Sequence, residues 1–253
     1  MTLSDCFWHV EPVMGTVVGI RSPDPLSEAA VAAAVAVLHD ADRLFSTWNP
    51  ESPMSRLRSG RTAQDDLEHD DAATIRHILA RCALARELSH GAFDPWSLPG
   101  GVDPTGLVKG WAVGRARDVL IDGGHGTVMV NGGGDIAVAG RPEGRPWRVG
   151  IRHPIQPTQL AAVVDVGAAV ATSGNYERPG ELLDPATGRT ARGVISATVT
   201  GPELDLVDAL ATALAVRGRP MLETIGDLAG YGAYMISDEG CHYASGAINF
   251  AGP

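Results

Sequence analysis

Helical periodicity and strand-length apolar runs are grouped along this chain rather than interleaved one for one. That grouping limits the fold more than any other feature. Before residue 122 the pattern is mainly helical. Val31, Val35 and Leu38 recur on one face after an N-cap candidate at Ser27, and Leu44-Phe45 extend that stripe. Ile75, Ile78, Leu79, Cys82 and Leu88 mark a second helix over Thr74–Ser89, ended by His90-Gly91, and Trp111 to Ile121 reads as another. From Thr127 the texture changes to short runs bounded by turn residues: Thr127–Val130, Ile136–Ala139, Trp147–Ile151, Leu160–Val166, Ala169–Thr172 and Val194–Thr200. A long helix over Leu204–Arg217 and a short one over Met221–Leu228 follow. Then Tyr234–Ile236 and His242–Ala244 form a hairpin around Asp238-Glu239-Gly240. Near the start, Phe7–Ile20 reads as one strand interrupted by Met14-Gly15-Thr16, Ser52–Leu57 as a short segment, and 59–69 as a surface loop. Grouped helices with hairpin-spaced strands predict an α+β fold: a largely antiparallel sheet with packed helices. No linker or internal repeat divides the chain, so residues 1–253 read as a single domain with room for a small subdomain.

With 44% hydrophobic and 20% charged residues the chain can bury a substantial core. A formal net charge of −10 argues against a nucleic-acid surface or an anionic membrane as partner, because both need a basic patch. No apolar run is long enough to insert into a membrane. Cys6, Cys82 and Cys241 are far apart and form no Cys-x-x-Cys pair, which fits a reducing cytoplasm. Met1–Cys6 carries neither a basic nor an apolar run, so no signal peptide is expected there.

Two stretches suggest chemistry. Asp103-Pro104-Thr105-Gly106-Leu107-Val108-Lys109-Gly110 offers an exposed acid, a glycine where backbone can approach a ligand, and a cation just before a helix. A helix N-terminus adds free N–H groups and partial positive charge, so the stretch suits a phosphorylated ligand. It also reads as a plain Asp-Pro turn. Asp208 and Thr212 lie four apart in a helix and project from one face; a carboxylate and a hydroxyl so placed suit a hard divalent cation, or simply hydrogen-bond at a helix start. Asn131-Gly132-Gly133-Gly134-Asp135 nearly matches a dinucleotide-binding fingerprint, but a strand follows it, so the Rossmann reading is rejected for a tight turn between strands. Trp48, in the polar turn Ser46–Pro50, can stack on a planar ring or sit at the rim of the core. Ser173 has no nucleophile-elbow context, and the histidines show no metal-ligand spacing.

Taken in order, the motifs resemble the ApbE flavin-transferase family, the FAD:protein FMN transferases. They are Met14-Gly15-Thr16, Phe45-Ser46-Thr47-Trp48-Asn49-Pro50 with Ser55-Arg56-Leu57, Gly91-Ala92-Phe93-Asp94-Pro95, Gly106-Leu107-Val108-Lys109-Gly110, and Asn131-Gly132-Gly133-Gly134-Asp135-Ile136. Val149-Gly150-Ile151, Ala171-Thr172-Ser173-Gly174, Asp184-Pro185-Ala186-Thr187-Gly188 and Asp208-Ala209-Leu210-Ala211-Thr212 complete the set. The resemblance implies a T-fold-like α+β domain with FAD in a cleft. Met14, Ala92, Phe93, Asp94, Asp103, Lys109 and Leu182 match positions around FAD, with Trp48 as a stacking candidate. Gly106 through its carbonyl, and Asp208 and Thr212 through side chains, match ligands of Mg2+, with Mn2+ as an alternative. The implied reaction moves FMN from FAD to a Ser or Thr hydroxyl of a target flavoprotein and releases AMP. Alternatives in the same cleft are hydrolysis of FAD to FMN and AMP, and FAD binding without catalysis. The chain departs from the family pattern where a histidine usually precedes the Asp-Pro of the Asp-Pro-x-Thr-Gly motif. Glu181 stands there and becomes, with Asp208, a catalytic candidate able to take a proton. The Pro95–Asp103 segment is also shorter than usual, and the lack of an export signal implies cytoplasmic targets.

Overall fold

The structure, a computed structural model, describes residues 6–63, 66–97, 100–174, 180 and 182–252. Among the described residues, ten strands and six α-helices run in the order β1 (Phe7–Val13), β2 (Thr16–Ser22), α1 (Glu28–Phe45), α2 (Pro53–Arg58), α3 (His69–Leu88), α4 (Thr105–Asp122), β3 (Val128–Gly132), β4 (Asp135–Ala139), β5 (Trp147–Arg152), β6 (Leu160–Val166), β7 (Ala169–Ser173), β8 (Val194–Gly201), α5 (Leu204–Arg217), α6 (Arg219–Gly226), β9 (Gly232–Ser237) and β10 (His242–Gly246). Eight strands form one sheet in the order β1-β2-β3-β4-β7-β8-β9-β10, and every neighbouring pair is antiparallel. The α+β expectation with an antiparallel sheet and packed helices is therefore met.

Alternation along the strands gives the sheet two apolar faces. Ala137, Ala169, Ala171, Ala197, Val199, Ala233 and Met235 join the core beneath the helices. Ile136, Val138, Val170, Tyr234 and Ile236 point the other way and pack with Trp147, Ile151, Val164 and Val166 of the β5–β6 hairpin. The helix-facing positions are mostly alanine, and α5 itself carries Ala209, Ala211, Ala213 and Ala215. Small residues on both surfaces let α5 lie close against β7 and β8. α5 is buried nearly all round, which explains an apolar sequence with almost no polar face. Near the C-terminus, Phe250 bridges Val164 and Asn249 accepts from the Asp165 N–H at 2.8 Å, so this segment covers the free edge of β6.

Three expectations are corrected. Phe7–Ile20 is a hairpin rather than one strand. Val13 pairs with Thr16, and the two turn residues Met14 and Gly15 have φ of 54° and 67°. Positive φ at both central positions belongs to a type I′ turn, whose twist suits paired strands. α3 starts at His69, with Asp70 and Asp71 in its first turn, where acids favour a helix but leave no apolar stripe to read. α4 starts at Thr105, not Trp111, so Gly106 and Lys109 lie within the helix. Glycines at 106 and 110 weaken the local helical pattern, and burial of Leu107 and Val108 against the core overrides it.

Candidate functional site

α5 places two acids inside the protein. Asp205 is 7% exposed and receives Nε and Nη2 of Arg81 from α3 at 2.6 and 2.8 Å, a bidentate pair that accounts for its charge. Asp208, one turn on and 5% exposed, has no arginine partner among the described residues. It accepts the Gly110 N–H of α4, while its Oδ2 has no hydrogen-bond partner among the described residues. The contact requires Gly110: a Cβ there would lie 2.7 Å from the Leu204 carbonyl oxygen and 3.0 Å from Asp208 Cβ. Burial first, then the nearby charge of Asp135, push the Asp208 carboxyl up to about 8 against the pull of Lys109. A buried, unsatisfied carboxylate of this kind is costly unless something positive completes it.

Lys109 reaches from α4 to Asp135 at the start of β4 and ion-pairs with it; the Asp135 side chain is 3% exposed and that of Lys109 37%. The β3–β4 turn that presents Asp135 is closed by Asn131 Oδ1, which accepts from the Gly134 N–H at 2.9 Å. It lies against the β1–β2 turn, since a Cβ on Gly133 would be 2.9 Å from Thr16 Oγ1. Met14 therefore sits beside the turn that carries Asp135. Thr212, one turn beyond Asp208, is half-buried and shares a 3.2 Å hydrogen bond with Ser173 Oγ at the end of β7.

The structure thus gathers Lys109 and Asp208 at the α4–α5 contact, with Thr212 one turn along and Met14 at the adjoining turn. Gly106 faces the buried Phe93 ring, 3.2 Å from where a Cβ would stand, and Ala92 is buried beside it in sequence. Asp103 is not the exposed acid the sequence suggested. Arg58 Nη1 donates to its Oδ2 at 3.1 Å, and Thr105 Oγ1 and N–H donate to its Oδ1 at 2.6 and 3.1 Å. Asp94 is tied to Arg86 Nε at 2.8 Å and accepts the Trp96 N–H. Leu182 accepts from the Ala191 N–H at 2.9 Å, in a loop anchored to the end of α5 by Asp184 and Arg217 at 3.2 Å. Trp48 is 95% exposed and joins none of these contacts. Glu181 lies outside the described residues.

Asp208 Oδ2, Thr212 Oγ1 and the Gly106 carbonyl are hard oxygen donors, the chemistry that Mg2+ or Mn2+ takes, and the orphaned Oδ2 is the observation that fits a cation there. Among the described residues no cluster of three or more His, Cys, Asp or Glu side chains forms a metal cage. Sequence reasoning missed Asp135 as a site residue. The available signal was an acid opening an otherwise apolar strand, Asp135-Ile136-Ala137-Val138-Ala139.

The profile of the ApbE family matches residues 14–100 and 97–234. The chain belongs to the ApbE family. It is 36% identical over 154 residues to an FAD:protein FMN transferase of Rhodobacter capsulatus, covering 57% of this chain and 29% of that protein. It is 35% identical over 129 residues to the one of Vibrio cholerae, covering 46% of this chain and 39% of that protein. Each alignment thus spans less than half the length of the relative it matches. Among solved structures, the ApbE protein of Thermotoga maritima superposes with a TM-score of 0.80 at 24% identity, covering 95% of this chain and 97% of that one. The flavin transferase ApbE of Vibrio cholerae gives 0.80 at 23% identity with the same coverage. The ApbE fold is therefore shared along almost the whole chain. No helix among the described residues is long and apolar enough to cross a membrane.

Proposed function

We propose that this ApbE protein is an FAD:protein FMN transferase. The observation that carries the reading is the buried Asp208 with its unpartnered Oδ2, one turn from Thr212 and beside Lys109, in a chain of this family. FAD is the substrate, and the acceptor is a Ser or Thr hydroxyl of a flavoprotein. The acceptor oxygen forms a bond to the FMN-side phosphorus, the phosphorus–oxygen bond to AMP breaks, and the hydroxyl proton passes to a base, for which Glu181 is the candidate.

Asp208, Thr212 and the Gly106 carbonyl would hold the divalent cation, which would offset diphosphate charge when bound. Lys109 sets its ammonium toward the same phosphates. Met14, Phe93 and Ala92 shape the wall on which the flavin half lies, and Asp103, fixed by Arg58, completes the entry to α4. Asp94 and Leu182 hold the rim, and Trp48 presents an aromatic face to solvent for stacking. Little covalent work falls to the protein, so alignment and charge carry the rate. All three thiols are free, with Cys241 exposed, which supports a cytoplasmic setting.

The test is mass spectrometry of a candidate flavoprotein incubated with this protein, FAD and Mg2+, with AMP assayed in parallel. A mass gain equal to FMN, matched by AMP and lowered about 100-fold or more in Asp208→Ala, is the expected result. AMP without a mass gain on any flavoprotein offered would replace transfer by hydrolysis. Intact FAD on the protein after long incubation would make it a binding protein.

A further inference from the structure

Lys109 presents a problem in electrostatics. A flexible lysine on α4 lies within charge range of a buried carboxylate on α5 whose Oδ2 lacks a partner, yet its ammonium goes to Asp135 instead. A lysine ammonium is a point charge on a flexible four-carbon arm, so it can reach either carboxylate within its range. Asp135 is presented to it by a rigid feature: the glycine turn between β3 and β4, closed by Asn131 and seated against Thr16, aims this almost fully buried acid at α4.

We propose that Asp135 is a positioning residue that keeps the Lys109 ammonium off Asp208, leaving Oδ2 open to the divalent cation and the ammonium turned toward the diphosphate. Without Asp135 the lysine turns to Asp208 and becomes an internal competitor for the cation's place. The inference rests on the transferase reading above, but its test uses neither flavin nor acceptor.

The measurement is Mn2+ binding to the flavin-free protein, with free Mn2+ counted by electron paramagnetic resonance. Asp208→Asn is expected to abolish high-affinity binding; unchanged binding there would remove the cation from the proposed function and the inference with it. Asp135→Asn is expected to weaken binding about tenfold in the otherwise unaltered chain, and less than about twofold in a Lys109→Met background. That non-additivity is the signature of a lysine moving in. An equal loss with and without Lys109 would mean that Asp135 acts only as a charge or a ligand, and would overturn the inference while leaving the cation site in place. No loss in either background would overturn it as well. Thermal unfolding of each variant verifies folding, and Asp135→Ser run through the same cycle replaces Asp135→Asn if the asparagine variant does not fold.

Discussion

Asp208 makes its own prediction at the scale of one residue. Its carboxyl is raised to about 8 in the folded chain, chiefly by burial, against an ordinary value of 3.8. The unfolded chain therefore releases this proton first, and the group costs stability progressively as pH climbs from about 4 to 8 in the cation-free protein. Asp208→Asn should then raise cation-free stability by on the order of 1 to 3 kcal/mol at pH 8, with the gain vanishing toward pH 4, as read from urea unfolding across pH. Mg2+ should stabilise only the parent. Burial likewise pushes the Cys82 thiol up to about 12, so at pH 8 a thiol reagent should modify the exposed Cys241 quickly and Cys82 only after denaturation. Replacing Glu181 by Gln should slow transfer about 100-fold with FAD affinity unchanged, measured by flavin fluorescence and AMP release. Most of the candidate site could be read one residue at a time. Asp208 and Thr212 stand out as candidates by type and spacing, because a helix keeps positions four apart on one face, while Gly106 and Lys109 stand out by residue type and by the family resemblance. Asp135 does not, because its meaning comes from a lysine twenty-six positions earlier that only the folded sheet brings near. Asp103 looked exposed for the same reason: nothing local announces Arg58.

Between elements, the α4–α5 contact is the joint on which the site depends. A methyl at Gly110 would collide with the Leu204 carbonyl and with Asp208 Cβ. Gly110→Ala should therefore push the helices apart, cost about 2 to 3 kcal/mol in urea unfolding, and weaken Mn2+ binding at Asp208. Arg81→Met leaves Asp205 buried without its cation and should cost about 3 kcal/mol or more, measured the same way. Element types came through in the sequence where periodicity was strong, as along α1, or where an apolar run was too long for a strand, as along α5. Boundaries failed where another force decided them. Acids begin α3, buried Leu107 and Val108 carry α4 through two glycines, and a two-residue turn, small enough to look like a bulge, divides β1 from β2.

At the scale of the molecule, two apolar cores share one sheet, one under the helices and one under the β5–β6 hairpin. We read residues 1–253 as a single domain on that basis. Melts followed by far-ultraviolet circular dichroism and by fluorescence should coincide, whereas a separate early step would split the hairpin side off as its own unit. The antiparallel character of the sheet was legible from strand lengths and turns. The strand order was not, since pairing of distant strands leaves no local trace. That order has a consequence for biosynthesis. β2 pairs with β3, Val18 against Gly132, across the whole run of α1 to α4. A nascent chain leaving the ribosome must present its first hairpin and four helices before the strand that joins them to the sheet exists. Through that interval the bonding edge of β2 and the apolar undersides of α1 and α4 are open to other chains. Yield of active protein should then respond to translation speed and to chaperones that shield such edges.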